Sequence, residues 1–281
     1  MAKIRISVVQ YLNSVPLAWG ILDGPQKDLF EAVYSTPAEC AQELSSGNVD
    51  IGLIPSIEYQ RIAGSRIVPG PAIASRHRAA SVLLLSKVPL ARVRTVACDR
   101  GSRSSVALAR VILNGFYRNR PEFREADPDP AAMLAANDAA LLIGDVALKF
   151  KAENKFATSY NVGDYGQDGP QPIQVFDLVE RWNNLTGLPF VFAFWCARKG
   201  FTDQSVVDAL VASREYGLAN LDEIATRYAE KLSLDRDFLL QYLGKNMDYN
   251  MDRYGIEALG QFYRLAATAG AISSVRGIEF L

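Results

Sequence analysis

Histidine and cysteine, on which many catalytic and metal sites depend, are scarce in this sequence. It has one histidine, His77, and three cysteines, Cys40, Cys98 and Cys196, which lie far apart. No CxxC or HExxH spacing is present, so we expect no zinc site and no iron–sulfur cluster. A catalytic triad would have to use His77, which stands between two arginines and is more typical of a loop residue. The isolated cysteines predict buried, reduced thiols and a cytoplasmic location.

An excess of charge of one sign is missing as well. The 281 residues contain 30 Lys and Arg against 31 Asp and Glu, whereas nucleic-acid binding depends on clustered cations, so we expect no nucleic-acid partner. The longest apolar run, residues 189–197, is far shorter than the roughly 20 residues of a membrane helix, and no secretory signal precedes the first strand. The sequence therefore predicts a protein without a membrane segment, and it indicates no oligomeric state.

Strand and helix patterns alternate along the chain. Residues 4–9 alternate like a strand, and a helix pattern follows at about 14–22. Thr36 and Glu39 have the spacing of a capping box, which predicts a helix that runs to about residue 46. A short apolar run at 49–54 is typical of a parallel strand that is buried on both faces. This alternation predicts βαβ units.

The pattern returns later in the chain. Strands are predicted at 94–98 and 138–143, and Asp50 and Asp138 stand 88 residues apart, although chance could produce such a match between two common βα units. We therefore predict an α/β fold of two similar lobes, with lobe 1 formed by residues 1–87 and 189–281 and lobe 2 by residues 88–188. Hinges are expected near 87–91 and 186–190, and the tail at about 202–270 is predicted to be helical throughout.

Polar candidates lie in the strand-to-helix turns that would face a cleft between the lobes. In the first turn, Asn13 offers an amide donor and acceptor and Ser14 offers a hydroxyl. In the second turn, Ser56 ends a buried strand, with Glu58 close behind it. Each of these residues also suits a simple role at the start of a helix, where side chains of these types satisfy free backbone N–H groups or favour the helix dipole.

The third turn is the best candidate for binding an anion. Gly101 allows the backbone to approach a ligand closely, Arg103 supplies charge, and hydroxyls surround the free N–H groups of a helix start; the serines are Ser102, Ser104 and Ser105. The turn is neither a Walker A loop nor a dinucleotide-binding loop, and a capped surface helix is the alternative. In a fourth turn, Gly144 permits close approach of a ligand and Asp145 either caps the next helix or acts as a base.

Three of these segments carry a resemblance to a known family. They are Tyr11-Leu12-Asn13-Ser14-x-Pro16-Leu17, Pro55-Ser56-x-Glu58-Tyr59 and Leu142-Ile143-Gly144-Asp145. Over most of its length the sequence resembles the chorismate dehydratases of the futalosine pathway to menaquinone. The resemblance implies a two-lobed fold like that of type II periplasmic binding proteins, with an interlobe cleft and two hinge segments. It also implies conversion of chorismate to 3-[(1-carboxyvinyl)oxy]benzoate with loss of water.

A sister enzyme, 1,4-dihydroxy-6-naphthoate synthase, shares that fold. It carries a basic histidine after the second-lobe strand, at the place where this sequence has Gly144 and Asp145. This departure favours the dehydratase branch. The sister activity stays an alternative, as does a cytosolic two-lobed protein that binds or senses a small anion without catalysis.

The resemblance implies roles for the candidates. Asn13 is the catalytic candidate, which orients the ring or the leaving hydroxyl of the substrate. The other residues of the site are expected to bind substrate: Tyr11, Ser14, Pro55, Ser56, Ser81, Gly101, Ser102, Arg103, Ser104, Ser105, Gly144 and Asp145. Because loss of water makes the ring aromatic, positioning suffices and no metal or cofactor is expected. The base stays open between Glu58, Asp145 and a carboxylate of the substrate itself, which we favour.

Overall fold

The computed structural model describes residues 3–153, 159–160 and 173–281, and the structural statements below concern these residues. The strands are β1 Ile4–Val9, β2 Phe30–Ser35, β3 Ile51–Pro55, β4 Arg66–Ser75, β5 Val82–Ser86, β6 Thr95–Asp99, β7 Glu122–Ala126, β8 Ala139–Ile143, β9 Ser159–Tyr160, β10 Ile173–Asp177, β11 Phe190–Ala197 and β12 Asp248–Asn250. The α-helices are α1 Val15–Leu22, α2 Pro37–Ser46, α3 Ser104–Arg110, α4 Pro130–Ala136, α5 Gly144–Glu153, α6 Leu178–Thr186, α7 Ser205–Ala219, α8 Leu221–Leu232, α9 Arg236–Gln241 and α10 Arg253–Thr268.

The strands form two sheets with the same internal order. The first sheet runs β12-β4-β11-β3-β1-β2 and the second runs β7-β6-β8-β5-β10-β9. In the first, β1 is parallel to β2 and β3, while β11 is antiparallel to β3. In the second, β6 is parallel to β7 and β8, while β5 is antiparallel to β8. The run β2-β1-β3-β11 is thus repeated as β7-β6-β8-β5, and the predicted α/β fold of two similar lobes is confirmed.

The chain crosses between the sheets twice. It leaves the first sheet after Ser75 and enters the second at Val82, and it returns between Asp177 and Phe190. The second crossing includes the expected hinge near 186–190. The first precedes the expected segment at 87–91, because β5 already pairs with β8 and β10. The lobe boundaries given above stay a prediction, and the strand pairing favours moving the first of them to before Val82.

The capping box that the sequence predicts begins α2. The Glu39 backbone N–H donates to Thr36 Oγ1 at 3.4 Å, and the Thr36 N–H donates to Glu39 Oε2 at 2.8 Å. The helix buries Cys40, Ala41 and Leu44 against the first sheet. It therefore fixes the end of β2 and the start of β3 at one side of the first lobe.

The prediction that the tail is helical throughout was wrong at β12. Asp248–Asn250 is extended and pairs antiparallel with β4, with Asp248 opposite Ala74 and Asn250 opposite Pro71. The residues before it, Tyr242–Asn246, form a π-helix that continues α9. An open edge of the first sheet was available to this segment, and pairing there outweighed the local helical pattern.

Close packing of α1 on α7 joins the N-terminal part of the first lobe to the tail. The Ser213 hydroxyl donates to the Leu17 carbonyl oxygen at 2.8 Å. Gly217 lies directly against the backbone of Pro16, where a β-carbon would stand 2.0 Å from the Pro16 carbonyl oxygen. On the facing helix, a β-carbon at Gly20 would stand 2.6 Å from the Ser213 α-carbon. The two helices therefore touch through backbone atoms.

An aromatic cluster holds the second crossing in place. Trp182, Phe190 and Phe262 meet edge to face, with ring centroids 4.9 to 6.1 Å apart. The Trp182 indole N–H donates to the Pro189 carbonyl oxygen at 2.9 Å. Such pairs prefer this edge-to-face geometry, and they anchor the crossing in the core.

Candidate active site

A cavity lies between the lobes, at the edge where the carboxyl ends of the parallel strands meet, which is where ligands of open α/β sheets bind. Ten of the thirteen predicted site residues line it: Tyr11, Asn13, Pro55, Ser81, Gly101, Ser102, Arg103, Ser104, Ser105 and Gly144. Tyr11, Asn13 and Pro55 come from the first lobe, and the turn at 101–105 comes from the second. The sequence turns that were expected to face a cleft are therefore brought together.

The remaining three predicted residues lie beside the cavity rather than on its wall. The Ser14 hydroxyl is fully buried and donates to backbone carbonyl oxygens of Val9 and Tyr11. The Ser56 hydroxyl is also fully buried and donates to the Val191 carbonyl oxygen at 2.7 Å. Asp145 Oδ1 accepts a hydrogen bond from the Leu12 N–H at 3.1 Å. These polar groups are satisfied within the protein, so direct contact with a ligand stays a prediction for them.

The ring of Tyr11 occupies a slot formed by two glycines of the second lobe. A β-carbon at Gly144 would lie 3.1 Å from the Tyr11 ring, and one at Gly101 would lie 3.1 Å from its hydroxyl oxygen. Gly144 has a φ of +56°, in the left-handed region that favours glycine. Burial, followed by the nearby charges of Asp99 and Asp145, raises the pKa of the Tyr11 phenol, so it stays protonated at neutral pH.

Asn13 sits in a 3₁₀ turn, Leu12–Ser14, between β1 and α1. The Asp145 carboxylate holds this turn at the Leu12 N–H. Ser81, which lines the same cavity, accepts a hydrogen bond at its Oγ from the Tyr242 hydroxyl at 2.9 Å. Asn13 therefore shares the cavity wall with Ser81, and the buried Tyr242 holds the Ser81 hydroxyl from behind.

The turn from Gly101 to Ser105 presents both free and occupied polar groups. The Gly101 N–H donates to Asp99 Oδ1 at 2.8 Å, which fixes the turn. The Ser102 hydroxyl is buried and has no hydrogen-bond partner among the described residues. Arg103 lies 3.5 Å from Glu125 in a half-exposed ion pair, which stabilises little and leaves the guanidinium able to turn to a ligand. The turn keeps one cation and one unused hydroxyl for an anion.

Ser104 joins the two lobes instead. Its hydroxyl donates to the Phe192 carbonyl oxygen at 3.0 Å and accepts from the Ile57 N–H at 3.2 Å. Its oxygen is also 3.1 Å from Ser56 Oγ. These contacts, with the Leu12–Asp145 hydrogen bond, hold the lobes together around the cavity.

Comparison with known proteins identifies the family of this chain. Residues 4–268 match a protein family described as "Menaquinone biosynthesis". The chorismate dehydratase of Thermus thermophilus is 32% identical over 275 residues, which is 93% of this chain and 95% of that protein. The chain belongs to the menaquinone-biosynthesis family.

Solved structures that resemble this family member show the fold. Protein AF1704 from Archaeoglobus fulgidus matches with a TM-score of 0.73 at 19% identity, over 96% of this chain and 98% of that chain. The Candida albicans CA3427 product, described as having the generic periplasmic binding protein fold, matches with a TM-score of 0.61 at 11% identity, over 98% and 92% of the two chains. The fold that the resemblance implied is confirmed.

The sequence did not reveal the apolar residues of the cavity wall, nor Tyr242, which holds Ser81 from behind the wall. The apolar residues are Val9, Pro37, Ile73, Val82, Ile143, Phe192 and Ala193. Three of them, Val9, Val82 and Ile143, stand at strand ends, and in the sequence all seven look like ordinary core residues. Tyr242 lies more than 200 residues along the chain from Asn13, and no motif marks it. Within the described parts of the chain, no group of three His, Cys, Asp or Glu side chains is placed to hold a metal ion, and no helix is long and apolar enough to cross a bilayer.

Replacing Asp145 with asparagine should change how stability depends on pH. Burial raises the pKa of the Asp145 carboxyl, although the Leu12 N–H opposes this shift. A raised pKa in the folded state gives stability that is present below the unfolded pKa, about 3.9, and is lost as pH rises through the folded pKa. We expect Asp145→Asn, which keeps the Leu12 acceptor, to gain free energy of unfolding relative to the unmodified protein above about pH 4. Urea unfolding at several pH values checks this, and an identical pH profile for both proteins would contradict it.

Proposed function

We propose that this protein dehydrates chorismate to 3-[(1-carboxyvinyl)oxy]benzoate, the activity that its Thermus relative's name suggests. One observation carries the proposal. Among the described residues, those that line the cavity between the lobes combine neutral polar side chains with a single cation, Arg103, and an apolar wall. Such a lining suits the binding of a small ring with anionic and hydroxyl substituents better than it suits a reaction through a nucleophilic side chain.

The reaction needs positioning more than it needs reactive groups. Chorismate has two carboxylates, an enolpyruvyl ether and an allylic hydroxyl. A proton leaves the ring carbon that bears the ether, the hydroxyl leaves the neighbouring carbon, and the new double bond makes the ring aromatic. Proton and hydroxyl together leave as water. A site that holds the ring still and favours one elimination can therefore accelerate it.

The turn at 101–105 is the place for one carboxylate. Arg103 supplies charge, and the unpartnered hydroxyl of Ser102 supplies a donor. Ser104 and Ser105 of the first turn of α3, which continues as a π-helix to Phe116, line the same cavity, and the start of a helix favours an anion. A carboxylate there would satisfy the buried hydroxyl of Ser102, which otherwise costs free energy.

A carboxylate of the substrate is the base that we favour. Glu58 forms an ion pair with Arg61 and does not line the cavity. Asp145 is occupied by the Leu12 N–H and also stands off the wall. Tyr11 does line the cavity, but burial raises its pKa, so the phenol stays protonated at neutral pH and cannot accept the ring proton. These placements support the enolpyruvyl carboxylate as the group that takes the ring proton.

The wider setting follows from the same resemblance. We infer that the protein acts in the futalosine route to menaquinone, in the cytoplasm, without a metal or cofactor. The three cysteines are free and buried, as suits a reducing compartment. Burial raises the pKa of the Cys40 and Cys98 thiols to about 12, so they are poor nucleophiles.

Incubation with chorismate tests the activity directly. We expect purified protein to convert chorismate to a product that coelutes with 3-[(1-carboxyvinyl)oxy]benzoate, as followed by chromatography and mass spectrometry. The measurement includes an EDTA-treated sample, which should keep full activity. Binding of chorismate without conversion would favour an anion receptor instead, and the sister synthase activity would be shown by formation of 1,4-dihydroxy-6-naphthoate from its own substrate.

A further inference from the structure

A second cavity, which we call the outer groove, shares the turn at 101–105 with the cavity between the lobes. Ser102 and Arg103 line both of them, so this turn is a common wall. Arg61 of the first lobe also lines the groove, where its guanidinium donates to the Ala271 carbonyl oxygen at 3.1 Å. The groove has a volume of about 320 Å³, against about 70 Å³ for the inner cavity. Pockets for small molecules usually measure about 300 to 1,000 Å³, so a ligand enters the inner cavity only when part of its wall moves.

More cations than carboxylates line the outer groove. Its charged residues are Arg61, Arg103, Arg110, Arg124, Asp99 and Glu125. Asp99 Oδ1 accepts a hydrogen bond from the Gly101 N–H of its own turn, and Glu125 pairs with Arg103. A concave wall with four positive and two negative charges attracts an anion, because its low dielectric concentrates the electric field.

Arg110 is the arginine whose charge is most available in the groove. Arg61 and Arg124 each form an ion pair with a glutamate that does not line the groove. Arg110 forms no ion pair with the described residues, and its guanidinium lies over the Phe123 ring, 4.2 Å from the centroid. An aromatic ring holds a guanidinium in place without cancelling its charge. The groove therefore keeps one ordered cation that an anion can approach.

Arg103 connects the groove with the inner cavity. On the groove side its guanidinium lies 3.5 Å from Glu125, in a half-exposed ion pair of a kind that stabilises little. An incoming carboxylate can therefore take the place of Glu125. On the inner side, the same arginine lines the cavity beside Ser102, whose buried hydroxyl has no partner among the described residues. A carboxylate that has paired with Arg103 in the groove thus lies next to the inner site.

We propose that the outer groove is a second anion-binding site, where the dianionic substrate binds weakly before it passes the turn at 101–105. The inference rests on the proposed function, which supplies the dianion. Arg110 attracts a carboxylate from solution, and Arg103 then guides it into the inner cavity. The product of the dehydration also carries two carboxylates, so it leaves by the same route.

Replacing Arg110 with glutamine tests the groove through binding rates. At low ionic strength, we expect the association rate constant of 3-[(1-carboxyvinyl)oxy]benzoate to fall about fivefold, as followed by stopped-flow fluorescence, because one attracting charge is lost. Arg110 does not line the inner cavity, so the dissociation rate constant should fall by a similar factor and the affinity should change less than twofold. Salt at about 0.5 M should remove most of the difference. A weaker affinity at an unchanged association rate would overturn the proposal.

Arg181→Gln is the matched control. Arg181 also lies in a helix, α6, with its guanidinium over an aromatic ring, 4.9 Å from the Phe176 centroid, but it does not line the groove. The substitution removes the same charge and the same kind of contact. Both rate constants should therefore equal those of the unmodified protein. Equal slowing of association in Arg181→Gln and Arg110→Gln would show an effect of net charge alone and would overturn the proposal.

Arg124→Gln keeps the test decisive if Arg110→Gln folds poorly. Arg124 is a half-exposed residue of the groove, and Glu122 offsets part of its charge, so its loss should slow association about twofold. Unchanged association in this variant would overturn the proposal. So would inorganic phosphate that alters turnover by the unmodified protein without slowing association, since the groove would then be an effector site.

The binding measurements also separate this inference from the proposed function. Slower association in Arg110→Gln, together with no dehydration of chorismate by the unmodified protein, would support the groove and contradict the proposed function alone. Dehydration with association rates that do not depend on Arg110 would contradict the groove alone.

Discussion

Asn13→Ala should lower kcat for chorismate dehydration by about 100-fold to 1,000-fold, the range seen when one preorganised polar group at a reacting centre is removed. Asn13 lines the same cavity as Ser81, close to the ends of the strands that meet there. Without its amide, the leaving hydroxyl loses its partner and the ring loses its orientation. KM should change far less, because the carboxylate contacts at 101–105 are intact. Initial rates followed by chromatography measure both constants.

Glu58→Gln and Asp145→Asn are the comparison variants. Neither side chain lines the cavity, so both variants should retain activity that is readily measured. Circular dichroism and thermal unfolding show whether each variant is folded. An inactive Glu58→Gln that still folds and binds chorismate would make Glu58 the base and end the preference for a substrate carboxylate.

Gly217→Ala should lower the free energy of unfolding by about 3 kcal/mol, at the upper end of the usual cost of overpacking. The new β-carbon would lie 2.0 Å from the Pro16 carbonyl oxygen and 2.8 Å from the Pro16 α-carbon. Both are backbone atoms of the first turn of α1, so no side chain can move aside. Relief requires α1 and α7 to separate. The midpoint of urea denaturation reports the change.

Gly260→Ala is the matched control. Gly260 also lies in a helix, α10, but the nearest atom to an added β-carbon is the flexible end of Arg264 at 3.6 Å. Alanine costs less backbone entropy than glycine in a helix, so this variant should gain about 1 kcal/mol. Equal effects at the two positions would show that helix propensity, and not the α1–α7 contact, governs Gly217.

Much of the fold could be predicted from the sequence because its signals are local. The capping box at Thr36 and the buried apolar runs at β3 and β8 depend on neighbouring residues, and the spacing of those runs predicts two similar lobes. The extended segment at β12 could not be predicted, since it depends on an edge of the first sheet that β4 provides from far away in the chain. Likewise, β5 belongs to the second sheet because of the strand with which it pairs, and the β-propensity of its own residues does not reveal that strand.

The candidate site also has features that the sequence predicts and features that it does not. Turns after strands are recognisable, and most of their residues do line the cavity. The direction in which a small polar side chain points is not recognisable: Ser14 and Ser56 turn to backbone carbonyl oxygens, while Ser102 has no such partner. Tyr242 reaches Ser81 only because the tail packs back behind the wall. A single sequence holds no sign of that contact.

The shared strand order has a consequence for the order in which the lobes can form on the ribosome. The second sheet uses strands from one continuous stretch, β5 to β10, and can be completed as soon as that stretch emerges. The first sheet cannot, because β11 lies between β3 and β4 and is synthesised more than 100 residues after them. Domains generally fold as units during synthesis, N-terminal first. In this protein the second sheet can be completed first, whereas the first sheet stays incomplete until β11, which separates β3 from β4, has been synthesised.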